Sequence, residues 1–394
     1  MAHKYLPYGQ QWIGEDDIQA VVDVLRSDWI TQGEAVDLFE RAIADYCQVK
    51  YAVAVSSATA GLHIASLAAG VSAGHNVITS PLTFVASANV ALYSGAQIHF
   101  SDIDSQTYNL CPQRLAKAID EGKFSESPTT LIPVHFAGQS CDMEALNRTA
   151  KQRGMQIIED ASHALGGTWF DSQGREHHIG SCSHSDMTVF SFHPVKHITT
   201  GEGGVVLTND PDCYERLRKY RNHGISKDAN EIDMSIGPWY YEMQCLGYNY
   251  RITDFQCALG LSQLKKLDAW IGRRREIAQL YDNAFASNED LITPYQADFS
   301  RSAYHLYPIQ IRGKGGVRRR IFERLREQNI GVQVHYIPVH MQPYYRDELG
   351  FAANDFPIAK EYYERALSLP IFPKMTDGDV ERVICELERS LTFI

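Results

Sequence analysis

The chain has 394 residues, 44% hydrophobic and 22% charged, an ordinary globular composition with room for two domains and a large core. Its net charge of 37 − 48 = −11 argues against nucleic-acid binding, yet a few local donors still suffice to hold a small anion. Eight cysteines without a C-x-x-C pair indicate neither a zinc site nor a disulfide framework, and no signal segment or membrane-length apolar run is seen, so a cytoplasmic protein with no membrane partner is expected.

Glu15, Asp16 and Asp17 open a predicted helix over 14–26, with Ile18, Val21, Val22 and Leu25 as its apolar face. Trp29-Ile30-Thr31-Gln32-Gly33 interrupts the pattern before a second helix over 34–46, with Phe39 and Ile43 on one side. Residues 51–55 read as a strand that feeds small residues, Ser56 to Gly61, into a helix start. Free backbone N–H groups at such a start attract anions. An ordinary N-cap by Ser57 or Thr59 fits the same stretch equally well. Strands at 76–80, 98–100, 130–136 and 157–160 then alternate with helices starting at Phe84 and spanning 112–120 and 142–153. Sustained alternation implies an α/β fold, a mostly parallel sheet covered by helices on both faces. Ligands of such sheets sit beyond the carboxyl ends of the strands. Ala58, Phe84, Asp160 and Ser191 all fall at or just after strand ends, which places them at one site.

Val189-Phe190-Ser191-Phe192 reads as a buried strand, and Pro194 cannot donate to a ladder, so the strand ends near it. Gly201, Gly203 and Gly204 turn the chain into a returning strand, Val205-Val206-Leu207. Lys196 therefore sits on a short loop with its stem near apolar walls. Such walls disfavour the ammonium form, which suits a lysine that bonds a carbonyl carbon. Helices follow over 211–222, from 253 onward through Ala258, Leu259, Leu264 and Leu267, and over 271–281, with an irregular stretch at 228–241. Beyond them, strands at 306–311 and 332–336 and helices at 318–328, 359–367 and 377–391 form a smaller α+β unit of about 120 residues. The expected division is 1–270 and 271–394. Adjacent His177 and His178 match no common metal spacing, so no metal site is expected. Arg273-Arg274-Arg275 reads as a solvated helix face.

A buried lysine, a strand-end aspartate, a phosphate-holding helix start and an aromatic side chain are together what pyridoxal 5'-phosphate requires. The sequence resembles the DegT/DnrJ/EryC1/StrS sugar aminotransferases, within the fold-type I pyridoxal-phosphate enzymes, from Trp29 nearly to the C-terminus. Its landmarks are Trp29 to Gly33, Thr83-Phe84-Val85-Ala86, Glu159-Asp160-Ala161-Ser162-His163-Ala164-Leu165-Gly166, Phe190 to Lys196, Gly201-Glu202-Gly203-Gly204 and Gly247-Tyr248-Asn249-Tyr250-Arg251. The resemblance implies that Lys196 bonds the cofactor aldehyde and shuttles protons, and that Asp160 pairs with the ring nitrogen. It implies that His163 lies near the ring hydroxyl, that Phe84 stacks on the ring, and that Ala58, Thr59 and Ser191 hold the phosphate. Asn249 is implied to reach the phosphate of a neighbouring subunit, hence a homodimer with shared sites.

Within the family, His193-Pro194-Val195-Lys196, Ile198 to Gly204 and Gln333 to Pro338 resemble the branch serving pseudaminic acid biosynthesis. That branch aminates UDP-4-keto-6-deoxy-N-acetyl-β-L-altrosamine with L-glutamate. Tyr8, Trp29, Ile30, Thr31, His335 and Tyr336 are then implied to line the nucleotide-sugar pocket. The alternative is a related transaminase for another keto nucleotide sugar, of the 4-amino-4-deoxy-arabinose or perosamine type. Dehydratase relatives carry histidine in place of the lysine, whereas Lys196 is present here. A nicotinamide dehydrogenase is disfavoured because no G-x-G-x-x-G follows the first strand.

Overall fold

The computed structural model describes residues 4–124, 130–313 and 316–392. Its main sheet has seven strands: β1 Tyr51–Val55, β2 Asn76–Thr79, β3 Gln97–Phe100, β4 Thr130–Ile132, β5 Gln156–Asp160, β6 Met187–Ser191 and β7 Gly204–Thr208. Their spatial order is β1-β7-β6-β5-β4-β2-β3. Only β7 runs against its neighbours, pairing antiparallel with both β1 and β6. It does so because the glycine turn after Lys196 sends the chain straight back, whereas β1 to β5 are joined one to the next through helices.

The strands alternate as a sheet buried on two faces must. Phe190, Val205 and Leu207 pack into one core with Phe39, Ile43 and Phe192, while Val189 and Val206 join Val53, Val55, Leu62 and Ile64 on the other side. The covering helices are α1 Glu15–Leu25, α2 Glu34–Cys47, α3 Ala58–Ala68, α4 Ala86–Tyr93, α5 Pro112–Asp120, α6 Met143–Gln152, α7 Pro211–Arg221 and α8 Asp254–Leu264. Asp254 also accepts from the N–H groups of Gly33 and Ala35, so the start of α8 caps the start of α2.

A second, antiparallel sheet joins Leu291–Ile292 (β8), Tyr307–Ile311 (β9) and Ala366–Leu369 (β10). Helix α9, Leu267–Phe285, serves both cores. Its start gives Leu267, Trp270 and Ile271 to the main core, and its later turns give Ile277, Tyr281 and Phe285 to the small one. The expected boundary at residue 270 thus falls inside this helix. Helices α10 Val317–Glu327, α11 Pro343–Leu349, α12 Pro357–Arg365 and α13 Asp377–Leu391 complete the chain.

Several sequence expectations need correction. The apolar face assigned to α1 is largely outward: Ile18 is 47% and Leu25 55% exposed. The helix instead buries the side carrying Asp17, whose carboxylate accepts from Ser262 (2.6 Å) and Gln263 (2.7 Å) of α8. Periodicity cannot see that a buried acid with two donors outcompetes an apolar stripe for that face. Segment 332–336 is not a strand; only Gln333 bridges, to Ser368, after which side-chain bonds take over. Helix α12 ends at Arg365, and residues 366–369 turn into β10. Strand β4 stops at Ile132, before Pro133. Arg274, expected in a solvated face, is 1% exposed.

Candidate active site

Beyond the carboxyl ends of the central strands lies a cavity of about 390 Å³, lined by Tyr8, Ala58, Thr59, Phe84, Asp160, His163, Ser191, Lys196, His335 and Tyr336 among others. Sequence reasoning had singled out each of these. Strand order brings them together: β1 leads to Ala58, β5 ends at Asp160, and β6 ends at Ser191 beside it.

The floor is an anion nest. Ser57 caps α3 by accepting from the Ala60 N–H at 3.1 Å. Helix geometry leaves the N–H groups of Ala58 and Thr59 without an intrahelical acceptor. So the cap and the anion site are the same feature, and the two readings do not compete. Gly204 makes room for it: a Cβ there would lie 2.6 Å from the Ala58 nitrogen and 2.8 Å from the Ser57 carbonyl carbon.

Adjacent carboxylates on β5 go opposite ways because strand side chains alternate. Glu159 turns into the core and meets His135 at 2.5 Å, with Ser185 and Thr188 as further donors. Burial pulls the His135 imidazole down, but the Cys141 side chain and the Glu159 carboxylate beside it prevail and hold it up at about 10, while Glu159 is held low. Asp160 instead faces the cavity. Its Oδ1 accepts from Ser162 Oγ at 2.6 Å, and its Oδ2 from Ser87 Oγ at 2.6 Å. Those donors keep the carboxyl group aimed at the cavity.

Lys196 is drawn down to about 8, mainly by burial; Asp160 opposes the shift and Arg274 adds to it. Its free-amine fraction near neutral pH rises accordingly. Its Nζ lies 3.3 Å from Nε2 of His305. Opposite stands a wall of imidazoles. The His163 ring is tilted against that of His305, centres 4.4 Å apart, and its Nε2 lies 3.0 Å from the Tyr336 hydroxyl. Burial, then Lys196, His335 and His197, hold His163 well below its ordinary value. His335 is pushed down to about 3 by burial and Lys196, with Nδ1 2.8 Å from Ser368 Oγ. Tyr8 tilts over His335 at 5.2 Å.

Trp29, Ile30, Thr31 and Asn249 do not join this cavity within one chain. Trp29 is 67% exposed, and the others are exposed too. Thr31 bridges Thr253, and Asn249 bridges Asn222. His177 goes elsewhere as well, 3.1 Å from Asp171 and stacked on Trp169. Sequence reasoning missed Ser87, His193, Glu202 and His305, which bond Asp160 or line the cavity. Glu202 and His193 lay inside quoted motifs and were findable there. Ser87 and His305 carry no local signal.

Pyridoxal 5'-phosphate fits what is present. The nest takes a phosphate, and Asp160 is an aimed acceptor at the right strand end. In addition, Nδ1 of His163 and Nδ1 of His305 are buried in the wall with no protein partner. Buried polar atoms of that kind call for a ligand or water.

Residues 11–388 match the DegT/DnrJ/EryC1/StrS aminotransferase family model. The chain belongs to that family. As a DegT/DnrJ/EryC1/StrS aminotransferase it is a pyridoxal-phosphate-dependent enzyme acting on nucleotide-linked sugars. It is 43% identical, over 96% of its length and 95% of the relative's, to the spore coat polysaccharide biosynthesis protein SpsC of Bacillus subtilis. It is 37% identical, over 96% and 95%, to the UDP-4-amino-4,6-dideoxy-N-acetyl-beta-L-altrosamine transaminase of Campylobacter jejuni. Among solved structures it superposes on Helicobacter pylori PseC, an aminotransferase involved in the biosynthesis of pseudoaminic acid, with a TM-score of 0.89 and 30% identity, covering 99% of this chain and 100% of that one. No helix among the described residues is long and apolar enough to cross a membrane.

Proposed function

We propose that the chain transfers the amino group of L-glutamate to C4 of UDP-4-keto-6-deoxy-N-acetyl-β-L-altrosamine, giving the 4-amino sugar used in pseudaminic acid biosynthesis. What carries this substrate is the 37% identity, across nearly the whole chain, to the Campylobacter transaminase of that 4-amino sugar. When bound, the cofactor supplies an electrophilic aldehyde and a ring that draws electrons from a broken Cα–H bond.

The chain's own residues do the rest. Ala58, Thr59 and Ser191 would hold the phosphate, Asp160 the ring nitrogen, Phe84 the ring face, and Lys196 the aldehyde end. Lys196 Nζ takes the proton from glutamate Cα, and in the second half-reaction it delivers one to C4 of the sugar. His163 and Tyr336 present neutral donors and acceptors, not charges, to the hydroxyl-rich substrate. Tyr8 and His335 close the sugar side.

The working unit is a homodimer with shared sites. Two features support it. Lys196 is the one lysine or arginine among the described residues lining the cavity, although cofactor, glutamate and UDP all bring negative charge. Meanwhile Trp29, Ile30, Asn249, Trp239 (73% exposed) and Leu246 (74% exposed) stand outside it, where a second copy can use them.

The test is a panel of UDP- and dTDP-linked keto sugars supplied with nitrogen-15 glutamate and read by mass spectrometry. Label in the 4-amino altrosamine product, and in it above all others, is expected. Transfer confined to a keto-arabinose or perosamine precursor would displace this substrate in favour of the alternative.

A further inference from the structure

Among the described residues, the side chain within hydrogen-bond distance of the Lys196 amine is one that no motif points to. His305 is 5% exposed and forms part of the cavity wall. Several constraints fix it there. Its neighbours Ala303 and Leu306 donate to the carbonyls of Gly138 (3.0 Å) and Ala137 (3.3 Å). A Cβ on Gly138, which has a φ of +105°, would come within 2.7 Å of the Tyr304 nitrogen and 3.0 Å of the His305 nitrogen. Only glycine permits that approach.

Arg274 locks the same segment from behind. Its Nη1 donates to the carbonyls of Tyr304 (3.1 Å), His305 (3.4 Å) and Ile371 (2.9 Å). Among the described residues no carboxylate forms an ion pair with it, so backbone dipoles alone hold this buried cation.

The groups facing His305 are Lys196, His163, His197 at 5.6 Å, and Arg274. Burial and these neighbours keep the imidazole neutral. A neutral imidazole offers one acceptor and one donor. With Nε2 against an amine that always carries hydrogens, the ring proton belongs on Nδ1, the atom left without a protein partner. A lysine amine hangs on a flexible four-carbon stem, and proton transfer demands a donor–acceptor gap of about 3 Å. Each turnover leaves that amine without a covalent anchor.

We propose that His305 is a positioning residue for Lys196: its neutral Nε2 accepts a hydrogen from the amine and aims it into the cavity whenever the amine is uncommitted. This rests on the reading of Lys196 as the proton carrier.

Three variants separate aiming from mere packing. His305→Gln puts an acceptor where Nε2 stood, His305→Asn is a bond too short, and His305→Leu has none. Competitive acetylation of Lys196 across pH, read by peptide mass spectrometry on the cofactor-free full-length chain, reports the amine without any turnover. His305→Gln should titrate like the parent. In His305→Asn and His305→Leu the midpoint should fall by about one pH unit, since an acceptor favours the charged amine over the neutral one. In the holoenzyme, the glutamate half-reaction should slow about 10- to 100-fold in those two, with KM for glutamate changed less than about twofold, and His305→Gln should recover most of the rate.

Equal behaviour of His305→Gln and His305→Asn, or an unmoved Lys196 midpoint in His305→Leu, overturns the proposal. Should His305→Leu not fold, the Gln and Asn pair decides alone. A parent enzyme without any glutamate half-reaction would instead sink the reading of Lys196, and the acetylation result would still stand or fall by itself.

Discussion

One wall of the cavity is made of strand ends, the other of segments after residue 300, and different forces hold them. Asp160, Ser191 and the 57–59 nest are fixed by ladder hydrogen bonds between β5, β6, β7 and β1. His305 and Tyr336 belong to no ladder. They are held by an arginine on backbone carbonyls and by a tyrosine-to-histidine bond. The first wall places the carboxyl group and the amine assigned to the chemistry, Asp160 and Lys196. The second places the neutral imidazoles of His305 and His335 and the phenol of Tyr336, whose burial keeps them uncharged. The comparison teaches that the rigid sheet holds what the chemistry must never lose, while side-chain contacts supply fine aim.

Substitutions can break that contrast. The largest effect is expected from Lys196→Ala, a loss of at least about 10³-fold in amino transfer. Borohydride treatment of the coloured holoenzyme should then label nothing at this position; substantial remaining transfer would refute its role. Next comes His135→Leu. It leaves Glu159 buried without its partner and should cost about 3–5 kcal/mol in urea unfolding at pH 6. His135 is raised to about 10, so its contribution is complete below its ordinary 6.5 and fades as pH climbs through 10; Glu159 is held low, so its contribution is complete above its ordinary 4.5 and fades in acid. The gap between parent and variant should therefore be widest between about pH 4.5 and 6.5 and narrow toward pH 10. A gap flat with pH would mean the pair is not ionised.

Asp160→Asn should slow the glutamate half-reaction about 10²-fold while leaving unfolding nearly unchanged, because the amide oxygen keeps Ser162 as donor and the Ser87 hydroxyl can turn to accept from the new amide N–H and donate to Thr83. An equal loss of stability and rate would recast Asp160 as structural. Gly204→Ala drives a methyl against the Ala58 nitrogen and should weaken cofactor binding about tenfold, read by absorbance titration, with inorganic phosphate losing its protection in parallel. The smallest effect belongs to Tyr336→Phe. Removing the hydroxyl 3.0 Å from His163 should cost about 0.5–1.5 kcal/mol in transfer, measured as kcat/KM. An effect as large as that of Asp160→Asn would show that the second wall does more than aim.

Much of the first wall was legible beforehand. Asp160 and Lys196 announce themselves because one ends a strand and the other follows a strand closed by a proline and a glycine turn, all local signals. At Ser57 the sequence left cap and anion site as alternatives; Ser57 does cap α3, and that cap leaves the Ala58 and Thr59 N–H groups available for the anion proposed there. The second wall was legible only in part. His335 and Tyr336 entered through resemblance, but the strand assigned to them was wrong, because Gln333 makes one bridge and no ladder follows. The outward face of α1 and the burial of Arg274 were missed for one reason. Which side of a helix meets the core depends on what the core offers, here Ser262 and Gln263 for Asp17 and three carbonyls for Arg274.

By itself the sequence determined the alternation of strands and helices, the family and, through it, the cofactor, because each depends on short-range pattern. Tertiary structure alone decided that His305 reaches Lys196 across 109 positions of chain and that Glu159 and Asp160 serve opposite faces with different partners. Hydrogen bonds and burial act over a few ångströms of space, and distance along the chain carries no record of them.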